Sequence, residues 1–153
     1  MLDRPRYGWC NIMVGTTKIG CASYLMDLPV YLLDAFNQYL SDKNRLNFCV
    51  EFDAEGYSFG LSEFDQTLYF VNNKRPEIEI KEIKSEEVGL GNYMSAKDIL
   101  NILATELIGD IQSNIEDWVY WENDEELMER GESDDRRRLL QSKINELKEK
   151  ING

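Results

Sequence analysis

The stretch LNFCVEFDAEGYSFGLSEFDQTLYFVNNKRPEIEIKEIK, residues 46–84, decides the fold. Apolar and polar residues alternate along four short runs within it, and a period of two is typical of half-buried β-strands. Short turn sequences such as DAEG at 53–56 and DQ at 65–66 separate the runs, so successive strands are expected to pair antiparallel. In the last run Ile78 and Ile80 share a face among charged residues, which suits the edge of a sheet.

A β-hairpin is predicted ahead of this stretch. Two apolar-rich runs, residues 7–14 and 18–25, flank a Gly-Thr-Thr turn. The face that we expect to be buried consists of Cys10, Ile12, Val14, Ile19, Cys21 and Leu25.

Three helices are predicted from apolar residues that recur every three or four positions. The first begins near Asp27, where Pro29 suits the first helical turn. The second begins at Ser95 with a capping-box-like S-x-x-D sequence and runs to about Trp121. The third spans residues 133–151, with acidic residues at its start and lysines near its end, as the helix dipole favours.

The element order ββα-ββββ-αα predicts a single α+β domain over residues 1–153, with a mainly antiparallel sheet of about six strands and the helices packed on one face. Residues 122–135 form an acidic connector and residues 133–151 a C-terminal amphipathic helix. The apolar seam of that helix consists of Leu140, Ile144, Leu147 and Ile151. We expect the seam to pack on its own chain, because four contacts are few for an independent coiled coil, but it could also pair two copies in a homodimer.

Composition argues against several classes of function. The chain has 29 Asp and Glu against 17 Lys and Arg, a net charge of −12, and no histidine. Without histidine, Ser-His and Cys-His nucleophilic catalysis and histidine-ligated metal sites are excluded, and no calcium-loop motif is present. Glu51 and Asp53 share a strand face and could form an acid–base couple, but carboxylates at strand ends are more often solvated. We therefore expect no enzyme, no cofactor and no catalytic or metal-ligating residue.

The same composition bears on partners and location. Binding to nucleic acid relies on Lys and Arg that neutralise phosphates, so we expect no direct nucleic-acid contact. No run of 18 apolar residues and no signal-peptide pattern is present, which predicts a cytoplasmic protein without membrane contact. Three cysteines, an odd number, argue against a disulfide framework, and we expect reduced thiols that fill core positions.

Acidic charge is concentrated in residues 116–135, which hold ten acidic residues and one basic residue beside Trp118, Tyr120 and Trp121. Protein interfaces favour aromatic anchors, and an acidic rim steers a basic partner, so this segment is a candidate partner-binding surface. The candidate residues are Glu116, Asp117, Trp121, Glu122, Asp124, Glu125 and Glu126. Two other interpretations stay open: a solvated connector, and pairing of these acids with the arginines at 136–138 of the same chain.

Three segments together carry a resemblance. They are WCNIMVGTTKIG at 9–20, DLPVYLLDAFNQYL at 27–40 and VEFDAEGYSF at 50–59. In an acidic, histidine-free α+β chain, this pattern resembles the small immunity proteins of bacterial polymorphic-toxin and contact-dependent inhibition systems, over roughly residues 7–120. The resemblance implies tight binding to a cognate toxin domain, in many systems a nuclease with a basic substrate-binding face. It carries over no site residues, because no motif matches residue by residue.

The leading hypothesis is therefore a cytoplasmic inhibitor that occludes a basic toxin domain, with the acidic residues of 116–126 facing the toxin and Trp121 as an anchor. One alternative is a phage-type acidic mimic of DNA, which needs carboxylates spaced regularly over a face. Another is a structural module that associates with itself through the C-terminal helix.

Overall fold

The fold is α+β, as predicted, in a computed structural model that describes residues 1–41, 47–121 and 130–153. In chain order the elements are β1 (Trp9–Val14), β2 (Thr17–Ser23), α1 (Leu28–Ser41), β3 (Cys49–Asp53), β4 (Ser58–Phe64), β5 (Thr67–Lys74), β6 (Glu77–Glu82), α2 (Ala96–Ser113), α3 (Ile115–Val119) and α4 (Arg130–Asn152). All paired strands are antiparallel, but they form two sheets. A two-stranded sheet pairs β1 with β2, and a four-stranded sheet has the order β3-β4-β5-β6.

Side chains occupy the edge of β3 at which β2 could otherwise pair. The Glu51 N–H donates a hydrogen bond to the Tyr31 hydroxyl oxygen at 2.9 Å, and the Asp53 N–H donates to the Met26 sulfur at 3.3 Å. Because these backbone donors already have partners, the edge is closed to a further strand. The hairpin is therefore separate from the four-stranded sheet, which alternation of residues alone does not predict.

The register of the hairpin corrects the predicted face of β2. Ala22 lies opposite Cys10 and Gly20 lies opposite Ile12, and directly opposed residues share a face. The strand therefore places Gly20 and Ala22 on the buried face. Cys21, opposite Asn11, lies on the other face, and Leu25, which follows β2, is exposed, so the prediction is wrong for these two residues. Ile19 is half-buried and packs against the core, as predicted. The pairing also shifts after Ile12, a β-bulge that a simple alternation misses.

The long predicted helix is broken at Asn114. Its start agrees with the prediction, since the Ser95 hydroxyl accepts a hydrogen bond from the Asp98 N–H at 3.2 Å. At the other end the Asn114 N–H donates to the carbonyl of Ile111, and the Asn114 side chain donates to the carbonyl of Asp110. An asparagine that bonds the preceding turn in this way competes with the helix, so α2 ends there and the short α3 follows.

The C-terminal helix α4 packs on its own chain. Leu140, Ile144 and Leu147 are each fully buried, and the helix lies mainly against α1 and also against α2. Two polar contacts join it to Asn37 of α1, whose side chain donates to a carbonyl of α4 and whose own carbonyl accepts from Lys150 at 3.0 Å. The helix begins at Arg130, earlier than the predicted 133. The seam that could have paired two copies is thus used within the chain.

The cysteines are only partly the core thiols that the sequence predicts. Cys10 is buried, and burial, with the nearby Asp3 carboxylate, raises the pKa of its thiol. Cys21 is half-buried and Cys49 is exposed, so the core prediction is wrong for Cys49. All three thiols are free.

Candidate protein-binding surface

The two candidate carboxylates that the structure describes, Glu116 and Asp117, are paired within the chain. Glu116 accepts two hydrogen bonds from the Arg137 guanidinium, at 2.8 and 2.7 Å, and these bonds lower the pKa of Glu116 and raise that of Arg137. Asp117 accepts from Arg4 at 3.0 Å. Both carboxylates therefore already have cationic partners, which agrees with the self-pairing interpretation for Glu116.

The side chain of Trp121 belongs to the interior. Trp121 is 6% exposed, its ring lies 5.1 Å from that of Trp118, and its indole N–H donates to the Met26 carbonyl at 2.9 Å. This burial leaves little of the Trp121 ring to contact a partner. The expectation that Trp121 is an exposed anchor therefore does not agree with the structure. The remaining candidates, Glu122, Asp124, Glu125 and Glu126, lie outside the described residues, and their role in binding stays a prediction.

Arg136 joins three parts of the chain beside the tryptophan pair. Its guanidinium binds both oxygens of Asp27, at 2.8 and 2.9 Å, and donates to the Trp118 carbonyl at 3.1 Å. The side chain of Arg136 is 14% exposed. A planar guanidinium that satisfies a carboxylate and a carbonyl together fixes the start of α1, the end of α3 and α4 relative to one another. Arg136 is thus a structural cation, not part of a surface.

The strongest candidate for a partner surface is one face of the four-stranded sheet. The register places three rows of residues side by side on it, and we call these residues, with Phe64 and Thr67, the open sheet face. The rows are Cys49-Ser62-Tyr69-Glu82, Glu51-Gly60-Val71-Ile80 and Asp53-Ser58-Asn73-Ile78. The opposite face is buried at Val50, Phe52, Phe59 and Leu61. The sheet thus has one face in the core and one face toward solvent.

Large apolar side chains are uncovered on the open sheet face. Ile78, Ile80 and Phe64 are 63%, 65% and 66% exposed, and the half-buried Val71 lies opposite Ile80. Contiguous exposed apolar residues on a monomer mark sites of interaction. β6 is the edge strand of this sheet and all six of its residues are exposed. Charged residues alternate with the isoleucines, as the sequence predicts for an edge.

The charge on the open sheet face has one sign. Glu51, Asp53 and Glu82 belong to its rows, and none of the described strand residues on this face is basic. Several lysines and arginines elsewhere are paired with acids of the chain, among them Lys143 with Asp34. The open sheet face therefore presents apolar contact area beside carboxylates that form no ion pair with the described residues, which is complementary to a basic protein surface.

A shallow depression of about 180 Å³ lies in the middle of the open sheet face. It exists because Gly60 has no side chain between Glu51 and Val71. A Cβ atom on Gly60 would lie 2.0 Å from the Val50 carbonyl oxygen, so no other residue fits there without a shift of the backbone. The Asn73 Oδ1 atom at its wall is buried and has no hydrogen-bond partner among the described residues. The Glu51 carboxylate, the Ser58 hydroxyl and the Val71 side chain also line the depression.

The described residues offer little for metal or membrane binding. No group of three or more Cys, Asp and Glu side chains in residues 1–41, 47–121 and 130–153 could hold a metal ion. Within the same ranges no helix combines the length and apolar character needed to cross a bilayer. Glu51 and Asp53, the considered acid–base couple, instead bind the Ser58 hydroxyl and the Glu55 N–H.

The fold and this surface define an α+β protein with one uncovered acidic and apolar sheet face. No protein-family model matches the chain, and no curated protein and no solved structure matches it.

The sequence contains a signal for the open sheet face that is independent of charge. Ile78 and Ile80 share a face of a strand that has the charged character of an edge, which makes them candidates for an exposed apolar pair. Gly60 interrupts the run of large residues in β4, and a glycine inside a strand often marks a close approach or an open position. The acidic residues of 116–135 are contiguous in the sequence, whereas the carboxylates of the open sheet face come from three strands.

Proposed function

We propose that this chain is a cytoplasmic bacterial immunity protein that binds a cognate basic toxin domain, a nuclease, and neutralises it by occlusion. Its action is binding alone, without catalysis, cofactor or direct contact to nucleic acid. The proposal places the contact on the open sheet face, because Glu116 and Asp117 have cationic partners within the chain and Trp121 is buried.

The observation that carries the proposal is the pairing of exposed apolar side chains with carboxylates on one surface. Exposed Ile78 and Ile80 supply apolar area that gains from burial, at about 25 cal/mol per Å² of surface removed from water. Glu51, Asp53 and Glu82 flank that area and favour cationic side chains opposite them. A basic nuclease surface that normally binds phosphates offers such cations.

The two alternatives receive less support. A mimic of DNA needs carboxylates spaced regularly over a face, whereas the middle of the open sheet face is apolar at Val71 and Ile80. A module that associates through the C-terminal helix needs a free seam, whereas Leu140, Ile144 and Leu147 are buried within the chain.

The test is co-expression with the polypeptide encoded by the neighbouring reading frame, followed by measurement of binding with the two purified proteins. We expect the chain to restore growth, to inhibit the nuclease, and to associate with it at a rate that falls about 10-fold or more as salt is raised. The salt effect arises because ions screen the attraction between carboxylates and basic residues.

Two results would reject this function. One is the absence of protection by the full chain from any toxin encoded beside it. The other is a partner that competes with DNA for a host DNA-binding protein, which would favour the mimic instead.

A further inference from the structure

We propose that the depression over Gly60 receives one arginine side chain of the partner. This inference rests on the proposed function and deepens it, because it names the chemistry of the group that the open sheet face recognises. The occupant is a segment of a basic protein that inserts an arginine between apolar residues.

The size of the depression favours a single side chain. Sites for small molecules usually enclose about 300–1,000 Å³, and this depression measures about 180 Å³. It is also open to solvent along the sheet, so a free ligand would keep much of its surface in water. A side chain carried by a partner that covers the surrounding face does not have this disadvantage.

The chemistry of the lining favours a donor-rich cation. Glu51 contributes a carboxylate, and Ser58 contributes a hydroxyl that donates to one oxygen of that carboxylate. Val71 forms an apolar wall beside them. A guanidinium group has five N–H donors, no acceptor and a long apolar stem, so it can bind the Glu51 carboxylate while its stem packs on the valine. A lysine ammonium is a more strongly hydrated point charge and matches this lining less well.

The depression lies at a central position of the open sheet face, where a partner residue can contribute strongly to the binding energy. Gly60 lies on an interior strand of the sheet, with β3 on one side and β5 on the other. Residues that dominate binding energy lie near the middle of an interface, in pockets that the surrounding contacts keep free of water, and arginine is enriched among them. Exposed Ile78 and Ile80 can provide such surrounding contacts.

The experiment is an NMR titration of the full chain with N-acetyl-arginine amide, compared with its neutral isostere N-acetyl-citrulline amide. We expect localised shifts of the Gly60, Ser62 and Asn73 amides, with a dissociation constant in the range of about 1–10 mM. Citrulline should bind at least ~10-fold more weakly, because its ureido group has no charge. E51Q should weaken the arginine response about 5-fold, whereas the matched variant E149Q, at an exposed position of α4, should leave it unchanged.

Three outcomes would overturn the inference. They are no localised shifts up to about 20 mM arginine amide, equal binding of the citrulline analogue, and shifts that map to another surface. A second copy of the chain seated on the open sheet face would also overturn it, and sedimentation would detect that dimer. If the chain inhibits its toxin but shows no arginine response at Gly60, the proposed function stands and only this inference fails.

Discussion

Arg136→Ala is expected to lower the free energy of unfolding by about 3 kcal/mol. The substitution removes the cation that binds Asp27 and the Trp118 carbonyl, and it leaves the partly buried Asp27 carboxylate without this cation. Loss of one member of a buried ion pair typically costs about 3–5 kcal/mol, and the partial exposure of Asp27 places this case at the lower end. Urea unfolding followed by far-UV circular dichroism measures the change.

The neighbouring arginine offers a matched control. Arg138 is 73% exposed and pairs with Asp135, three residues away on the same helix. Exposed pairs of this kind contribute little, so Arg138→Ala should change stability by less than about 0.5 kcal/mol. Equal effects of the two substitutions would show that Arg136 does not join α1, α3 and α4 as described.

Gly20→Ala is expected to destabilise the protein by about 2–3 kcal/mol. A Cβ atom at this position would lie 2.4 Å from the ring of Phe59, which is 2% exposed and packs against Phe52 with ring centroids 5.2 Å apart. The ring cannot move away without disturbing the core between the hairpin and the four-stranded sheet. Thermal unfolding and urea unfolding both report the loss.

A second substitution separates this clash from a general effect of alanine. With Phe59→Leu in the background, the added methyl group should cost about 1 kcal/mol or less, because the ring is gone. Gly109→Ala, at an exposed position of α2 with no neighbouring atom within 4 Å, should instead stabilise by about 0.5–1 kcal/mol. If Gly20→Ala were neutral, or if its cost were unchanged without the ring, the close packing of β2 on β4 would be contradicted.

Much of the fold follows from local patterns in the sequence. The alternation around Val50 and Phe52 predicts β3, and Ser95 correctly predicts the start of α2. Strand β3 and the start of helix α2 are both determined by residues that are close together in the sequence. The division into two sheets depends instead on Tyr31 and Met26, whose contacts with the edge of β3 join distant residues. Such contacts have no local signature, so one sheet of six strands was the natural expectation.

The candidate surface likewise depends on contacts between residues that are distant in the sequence. The charge of 116–135 is visible in the sequence, but its partners are not: Glu116 and Arg137 are 21 residues apart and meet only because α4 packs beside α3. Trp118 and Trp121 are three residues apart, a spacing that brings both to one side of a helix, and this was an available sign of burial. The open sheet face needs the strand register, because its carboxylates come from three strands.

The most direct test of the central claim compares toxin affinity for two charge-matched double variants. Glu51→Lys with Glu82→Lys reverses two charges on the open sheet face, and Asp98→Lys with Glu149→Lys makes the same change at exposed positions on α2 and α4. We predict that the first variant binds the purified toxin domain on the order of 100-fold more weakly, and the second within about 3-fold of the unchanged chain. Full affinity of the Glu51→Lys, Glu82→Lys variant, with unfolding midpoints unchanged, would contradict the claim that the sheet face is the binding surface.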